Sequence, residues 1–312
     1  MQDISLFNIT INKHIIDTTK FDDFVSGNVV QEFEERFCEY VGAKYCCSVN
    51  SATFAIFLCL LNKQVEVTVP TILPPVVCNA ILTSGNTINF KDDVSWVGGS
   101  YTLHQFDNYK IVDSAQKVER NQFSQECNDN DLAIFSFYPT KPIGSYDGGM
   151  IVSNDLEKIT QLKILSNNGR TKATESWKST TVVPGYKLYM SNLQAYIALK
   201  GLKALPQKDE KLQHIRKSYN DFFNLNNTSN HLYRIYTPSN TKYIQEMKKR
   251  GIQCGIHYAC CHQMPSYEDS FTYEQSERQQ FTTASIPFHE QLTPQDIQRI
   301  KDEHTKCIYL KD

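Results

Sequence analysis

Residues 135–149 read FSFYPTKPIGSYDGG: a strand-like run, one lysine between two prolines, then a glycine pair. Pro139 and Pro142 restrict the backbone on either side of Lys141 and hold its turn. A surface lysine needs no such setting, whereas a lysine that presents a neutral amine to a bound carbonyl does. Outward from this turn, Leu132–Phe137 and Gly149–Ser153 are short and largely apolar, the pattern of buried strands. Further strands are predicted at Tyr45–Val49, Val65–Val69 and Tyr109–Val112. Helical spacing of apolar residues marks 29–41, and helices are also predicted at 53–61, near 76–84 and at 155–166. This alternation over the first two-thirds predicts an α/β domain, a mostly parallel sheet with helices on both faces. Ligands of such sheets bind at the carboxyl ends of the strands.

The pattern changes beyond residue 205. A charged helix at 208–223 is followed by the polar linker NLNNTSN (224–230), a strand near 232–236, and helices at 240–250 and 293–303. The expected division is a large domain over 1–204, with an N-terminal arm, and a smaller C-terminal α+β domain over 205–312.

Composition narrows the function classes. Of 312 residues, 40% are hydrophobic and 21% charged, with a net charge of −2. No basic excess argues for nucleic acid or a membrane surface as partner. The run AIFLCLL (55–61) is too short to span a bilayer. The N-terminal twenty residues lack a basic stretch followed by an apolar one, so a cytoplasmic location is expected. The ten cysteines are scattered, and several sit in apolar surroundings, which reads as reduced thiols. Cys254, His257, Cys260, Cys261 and His262 cluster in sequence without matching a common zinc spacing, so no metal is expected. Trp96 and Trp177 read as packing residues.

Three segments that end strands carry the chemistry. In SVNSATF (48–54), small and hydroxyl residues open a helix and offer free N–H groups to an anion; a plain N-cap is the simpler alternative. In KIVDSAQ (110–116), Asp113 ends a strand as a site acid or caps a turn. The third is the turn carrying Ser136 and Lys141. Together, an anion cradle, a carboxylate and a constrained lysine are the parts that hold pyridoxal 5'-phosphate: cradle for phosphate, lysine for the Schiff base, acid for the pyridinium nitrogen.

The chain resembles the DegT/DnrJ/EryC1/StrS family of sugar aminotransferases, which are fold-type-I pyridoxal-phosphate enzymes. The matching stretches are EFEERFCEYVGAKY (32–45), VNSATFAI (49–56), VTVPTILPPVVCNAIL (67–82), KIVDSAQ, LAIFSFYPTKPIGSYDGGMIVSND (132–155), NNGR (167–170), PGYKLYMSNLQAYIAL (184–199) and SIPFHEQLTPQDI (285–297). They occur in family order. The resemblance implies that Lys141 bonds the cofactor and Asp113 holds its ring nitrogen. Gln116 would lie near the ring hydroxyl and Ala115 on one ring face. Ala52, Thr53 and Ser136 would bind the phosphate. It implies a homodimer in which the stretch Gly185–Met190 completes the partner's phosphate site, with Lys187 where the family has asparagine. Pro74 stands where the family has an aromatic residue stacked on the cofactor. The stretch from Phe90 to Asp113 is shorter than the family's, and a peripheral helix is expected to be missing. His257 falls at a family His-Tyr pair, and reads either as an ordinary core and loop residue or as a wall of the substrate cleft.

The expected activity is transfer of an amino group from glutamate to a nucleotide-linked keto-deoxy sugar, 4-keto-6-deoxy in form, for glycan biosynthesis. A nucleotide-sugar dehydratase is the alternative enzyme, opposed by the presence of Lys141. A non-catalytic family member is the third reading, opposed by Lys141, Asp113 and Ser136 together.

Overall fold

The computed structural model describes residues 3–9, 16–23, 25–171 and 178–308; Trp177 lies outside them. Regular structure opens with α1 (Asn28–Val41), β1 (Tyr45–Val49), α2 (Ala52–Leu60), β2 (Glu66–Pro70), α3 (Pro75–Thr83) and β3 (Thr87–Lys91). Next come β4 (Tyr101–Gln105), β5 (Lys110–Asp113), α4 (Gln122–Glu126), β6 (Leu132–Ser136), β7 (Gly149–Ser153) and α5 (Leu156–Ser166). The long α6 (Asn192–Phe223) leads to β8 (Tyr233–Tyr236), α7 (Asn240–Lys249), α8 (Glu274–Thr282), β9 (Thr283–Ile286) and α9 (Pro294–Ile308). None of these helices is long and apolar enough to cross a membrane, among the described residues.

The central sheet has the order β1-β7-β6-β5-β4, and β2 and β3 form a parallel pair beside it. The α/β class holds, but the sheet is mixed rather than mostly parallel. In the central sheet only β5 and β6 pair in parallel; β1–β7, β6–β7 and β4–β5 are antiparallel. The cause is connection length. Four residues, 106–109, join β4 to β5, and a parallel crossover needs about a dozen or more. Residues 137–148 between β6 and β7 form the lysine turn and no helix. β3 and β4 escaped the sequence reading because TINFK and YTLHQ are half-polar and lie toward the sheet margin.

Alternation along the buried strands divides the core into two layers. Ile134 and Ile151 face α2, α3 and α5, among Ala55, Leu58, Val77 and Leu162. Ala133, Phe135, Met150 and Val152 face α1 and α6, among Phe33, Phe37, Ala195 and Leu202. A third core joins Leu212, Ile215 and Tyr219 of α6 to Tyr233, Ile235, Ala284 and Ile286 of the small sheet. One continuous helix therefore serves both units: its residues through Leu205 pack on the large core, and those from Leu212 on the small one. Residues 204 and 205 lie inside this helix.

The position of α2 depends on Gly149. A Cβ there would meet the Ala52 nitrogen at 2.6 Å and the Ser51 carbonyl carbon at 2.8 Å. Both are backbone atoms, so the strand and the helix start meet only because no side chain stands between them. Gly149→Ala is expected to destabilise the protein by about 1–3 kcal/mol, read as a lower urea midpoint at unchanged m-value.

Candidate active site

Three strand ends meet on one edge of the sheet. β1 and β6 are each antiparallel to β7 and so run the same way, and β5 runs parallel to β6. Their carboxyl ends coincide: Val49 and Ser136 both pair with Gly149, and Asp113 pairs with Ile134. This register gathers Asn50–Thr53, Ser136 and Asp113 from distant parts of the chain.

At the first strand end, Ser51 caps α2, its hydroxyl oxygen accepting from the Phe54 N–H at 3.3 Å. Ala52 and Thr53 are the first two helical residues, so their N–H groups have no intrahelical acceptor. Across Gly149, Ser136 is buried; its hydroxyl oxygen accepts the Tyr138 N–H at 3.4 Å, leaving its own proton to donate. Backbone N–H groups, two hydroxyls and the positive end of a helix are a donor set for a phosphate dianion.

The turn bearing Lys141 is held at several points. The Lys141 N–H donates to the Tyr138 carbonyl at 2.8 Å, and the Ser145 N–H to that of Phe137 at 2.8 Å. The Ser145 hydroxyl donates to the Gln194 carbonyl at 2.6 Å, and the Lys208 ammonium to that of Pro142 at 2.9 Å. Burial pushes the Lys141 amine down to about 8, and the Asp113 carboxylate opposes that shift. A lysine near 8 is neutral often enough at physiological pH to act as nucleophile and base.

Asp113 is buried, which raises its pKa. The Ala115 N–H at 2.9 Å, the Tyr101 hydroxyl at 3.0 Å and the Lys141 charge pull it back down. Gln116 is buried beside it. Its side-chain nitrogen donates to the Tyr258 hydroxyl at 2.9 Å, and its oxygen accepts the Gly98 N–H at 2.7 Å. One amide proton of Gln116 is left over. From the small unit, His257 bonds Ser285 Oγ at 2.8 Å through Nδ1. Burial and the Lys141 charge lower His257 to about 4, so it is neutral. His231 is buried and also held neutral, by burial first and then by Lys141. Phe7 of the N-terminal segment stacks on His231 at 5.8 Å and packs edge-on against His257 at 5.7 Å.

Lys141, Asp113, Gln116, Ser136, Ala52 and Thr53 thus belong to one edge of one sheet. Lys187 stands apart as an exposed side chain, although its segment runs beside the first strand end, where Asn50 N–H donates to the Leu188 carbonyl at 2.7 Å. Pro74 immediately precedes α3 at its N-cap position. Trp96 packs in the large core as expected, stacked parallel to Tyr258 at 6.1 Å and 4.8 Å from Tyr101. Tyr101 was missed because β4 was missed, and only the alternation in YTLHQ would have signalled it. The thiol–imidazole cluster disperses: His262 bonds Thr71 at 2.6 Å, Cys261 bonds the Leu73 carbonyl at 3.3 Å, and Cys254 packs on the small core. No group of three or more His, Cys, Asp or Glu is placed to hold a metal, among the described residues.

The model of the DegT/DnrJ/EryC1/StrS aminotransferase family matches residues 8–93 and 111–304. A UDP-4-amino-4,6-dideoxy-N-acetyl-beta-L-altrosamine transaminase from Campylobacter jejuni is 26% identical, covering 91% of this chain and 90% of its own. Among solved structures, Helicobacter pylori PseC, an aminotransferase involved in the biosynthesis of pseudoaminic acid, superposes with TM-score 0.78. It is 20% identical over 99% of this chain and 98% of its own. The PLP-form of a putative sugar aminotransferase, Spr1654 from Streptococcus pneumoniae, gives TM-score 0.82 at 20% identity over 97% of each chain. These likenesses identify the fold as that of the fold-type-I aminotransferases.

In the ligand-free protein, Lys141 is expected to react with an amine-acylating reagent with a midpoint near pH 8. Asp113→Asn should lower that midpoint, because the carboxylate is the charge that raises it. Peptide mass mapping of labelling against pH checks both, and a midpoint near the ordinary lysine value of about 10.4 would contradict the geometry.

Proposed function

The chain belongs to the DegT/DnrJ/EryC1/StrS aminotransferase family, and from that premise we propose that it moves an amino group from glutamate to a nucleotide-linked keto-deoxy sugar. The observation that carries this reading is the half-buried Lys141, held in its turn beside a phosphate-type cradle, with burial lowering its amine to about 8 against the raising charge of Asp113. The residues present suit pyridoxal 5'-phosphate. Lys141 is the residue that would bond it, Asp113 takes the ring nitrogen, and Gln116 has one amide proton for the ring hydroxyl. Ser136, Ala52 and Thr53 supply donors for the phosphate, at a cradle that a Cβ on Gly149 would fill. When bound, the cofactor supplies an electron-withdrawing ring and a carbonyl group that carries the amine between the two substrates.

The protein's share of the work is local. Lys141 takes the proton from the donor's Cα, a task suited to an amine near 8. Asp113 keeps a negative charge against the ring nitrogen. Neutral His257 offers its free ring nitrogen to a hydroxyl or carbonyl without adding charge. The Campylobacter relative, a transaminase of a UDP-4-amino-4,6-dideoxy sugar, supports amination at C4 of a 6-deoxy sugar, and hence a 4-keto substrate. Such a sugar serves glycan biosynthesis. Ten free cysteines support a reducing, cytoplasmic setting. We read the chain as two units, 1–204 and 205–312, joined through α6, although Leu205 itself still packs on the large core.

We further read the protein as a homodimer. Phe54, near the start of α2, and Tyr186 are exposed on the single chain, and Phe57 packs edge-on to both, at 6.0 and 5.1 Å. An apolar patch beside the phosphate cradle is suited to a second copy, with Lys187 reaching the partner's phosphate.

Loading with pyridoxal phosphate, borohydride reduction and peptide mapping should place the pyridoxyl group on Lys141. Lys141→Ala should lose that label and drop turnover by roughly 10²–10⁴-fold or more, with its fold intact. Labelling of another lysine would remove the assignment. Absence of 2-oxoglutarate from glutamate and a UDP-4-keto sugar would remove the substrate class. Lys187→Ala should weaken cofactor binding and cofactor-dependent dimer stability with little effect on the ligand-free protein. A monomer that keeps its cofactor on dilution would rule out the shared site.

A further inference from the structure

Residues 94–110 are left unmatched by the family model, yet two of their side chains reach the centre of the site. Tyr101, the first residue of β4, is buried and donates its hydroxyl to Asp113 Oδ2 at 3.0 Å. Trp96 is buried; its indole N–H donates to the Ile72 carbonyl at 3.2 Å, tying it to the segment between β2 and α3. Its ring lies between two tyrosines, 4.8 Å from Tyr101 at 56° and 6.1 Å from Tyr258 at 5°. Tyr258 in turn accepts from Gln116. The three aromatics form a continuous wall whose two hydroxyls each hold a polar side chain of the site.

We propose that Tyr101 is a positioning residue that keeps the Asp113 carboxylate ionised and aimed into the site, and that Trp96, clamped between Tyr101 and Tyr258, fixes Tyr101 in that role. Asp113 has two oxygens. One accepts the Ala115 N–H, a bond that any residue at 115 other than proline would supply. The other accepts the Tyr101 hydroxyl, which depends on one side chain from the segment that the family model leaves unmatched. The charged and titratable groups facing Asp113 are Lys141 from the turn after β6, Tyr101 from β4 and Tyr258 from the small unit. Cys78 of α3 and Cys261 stand behind Tyr101. Burial makes the ionised carboxylate the costly form, so a hydroxyl donor matters most when Asp113 is charged. Burial likewise raises the Tyr101 hydroxyl well above its ordinary value, with the nearby Asp113 charge adding to it, so it stays a donor.

The inference rests on the proposed function for the identity of the ring that Asp113 meets, and the test separates the two. Apoprotein is titrated with pyridoxal 5'-phosphate and with its 1-deaza analogue, which has no ring nitrogen, for wild type and Tyr101→Phe. Loss of a hydrogen bond to a charged group should weaken pyridoxal phosphate roughly ten- to a hundredfold and leave the deaza analogue nearly unchanged. Equal losses for both ligands would make Tyr101 a packing residue and overturn the proposal. Trp96→Phe should show part of the same discrimination, and none would take Trp96 out of the mechanism. Ligand-free stability gives an independent reading. Asp113 has a raised folded pKa, so its contribution is fullest at low pH and is lost as pH rises through that value. Removing the Tyr101 donor raises the value further, so the deficit of Tyr101→Phe should grow with pH through the Asp113 titration. A deficit independent of pH would overturn the pairing. Failure of wild type to bind either ligand would overturn the functional reading, while the stability series would still decide the Tyr101–Asp113 contact.

Discussion

A carboxylate and an amine share one water-poor site, and burial pushes each toward neutrality. The Asp113 charge holds the Lys141 amine higher than burial alone would leave it, and the Lys141 charge lowers Asp113. Neither could sit there alone without a large desolvation cost. The pair therefore constrains everything around it. Asp113 must have donors, which the Ala115 N–H and Tyr101 provide. Lys141 must be near a carboxylate yet free to lose its proton. A lysine held by packing and turn hydrogen bonds, rather than by a close salt bridge, satisfies both demands.

That arrangement exists because of strand polarity. Only strands running the same way deliver their carboxyl ends to one edge, and β1, β6 and β5 do so although β7 runs against them between β1 and β6. Opposed polarity makes β7 start where its neighbours end, so its first residue, Gly149, lies among the site residues. A glycine there leaves room for the start of α2, and the helix brings its N–H groups to Ser136. The lysine turn is tied from outside by α6, whose Lys208 donates to the Pro142 carbonyl. Because that helix packs on both cores, a shift between the units would be felt at the turn carrying the reactive amine.

The segment before β5 supplies part of the site wall. Four residues between β4 and β5 allow only a hairpin, so β4 runs opposite to β5 and starts beside the strand end that carries Asp113. Tyr101 pairs directly with Asp113 in that ladder. The same short segment carries Trp96 to the Ile72 carbonyl, two residues before Pro74. Aromatic surface thus reaches this side of the site from the segment before β5, while Pro74 caps the start of α3.

The stretch FSFYPTKPIG, the strand-ending Asp113 and the small residues opening α2 were legible in the sequence because each is a local pattern. A proline-bounded lysine, an acid after an apolar run and a hydroxyl helix cap declare themselves within a few residues. The α/β alternation and most element positions were legible for the same reason, since periodicity is local. Strand polarity was not, because it depends on connections whose path a one-dimensional pattern does not contain. β3 and β4 were not, because strands with half-polar faces lack a strong apolar signal. The partnership of Tyr101 with Asp113, of Tyr258 with Gln116 and of Trp96 with both tyrosines was invisible as well, since these are cross-strand and inter-unit contacts. The sequence by itself determined which residue types the chemistry uses; the tertiary structure alone decided which neighbours set their charge, because desolvation and hydrogen bonding act through space and not along the chain.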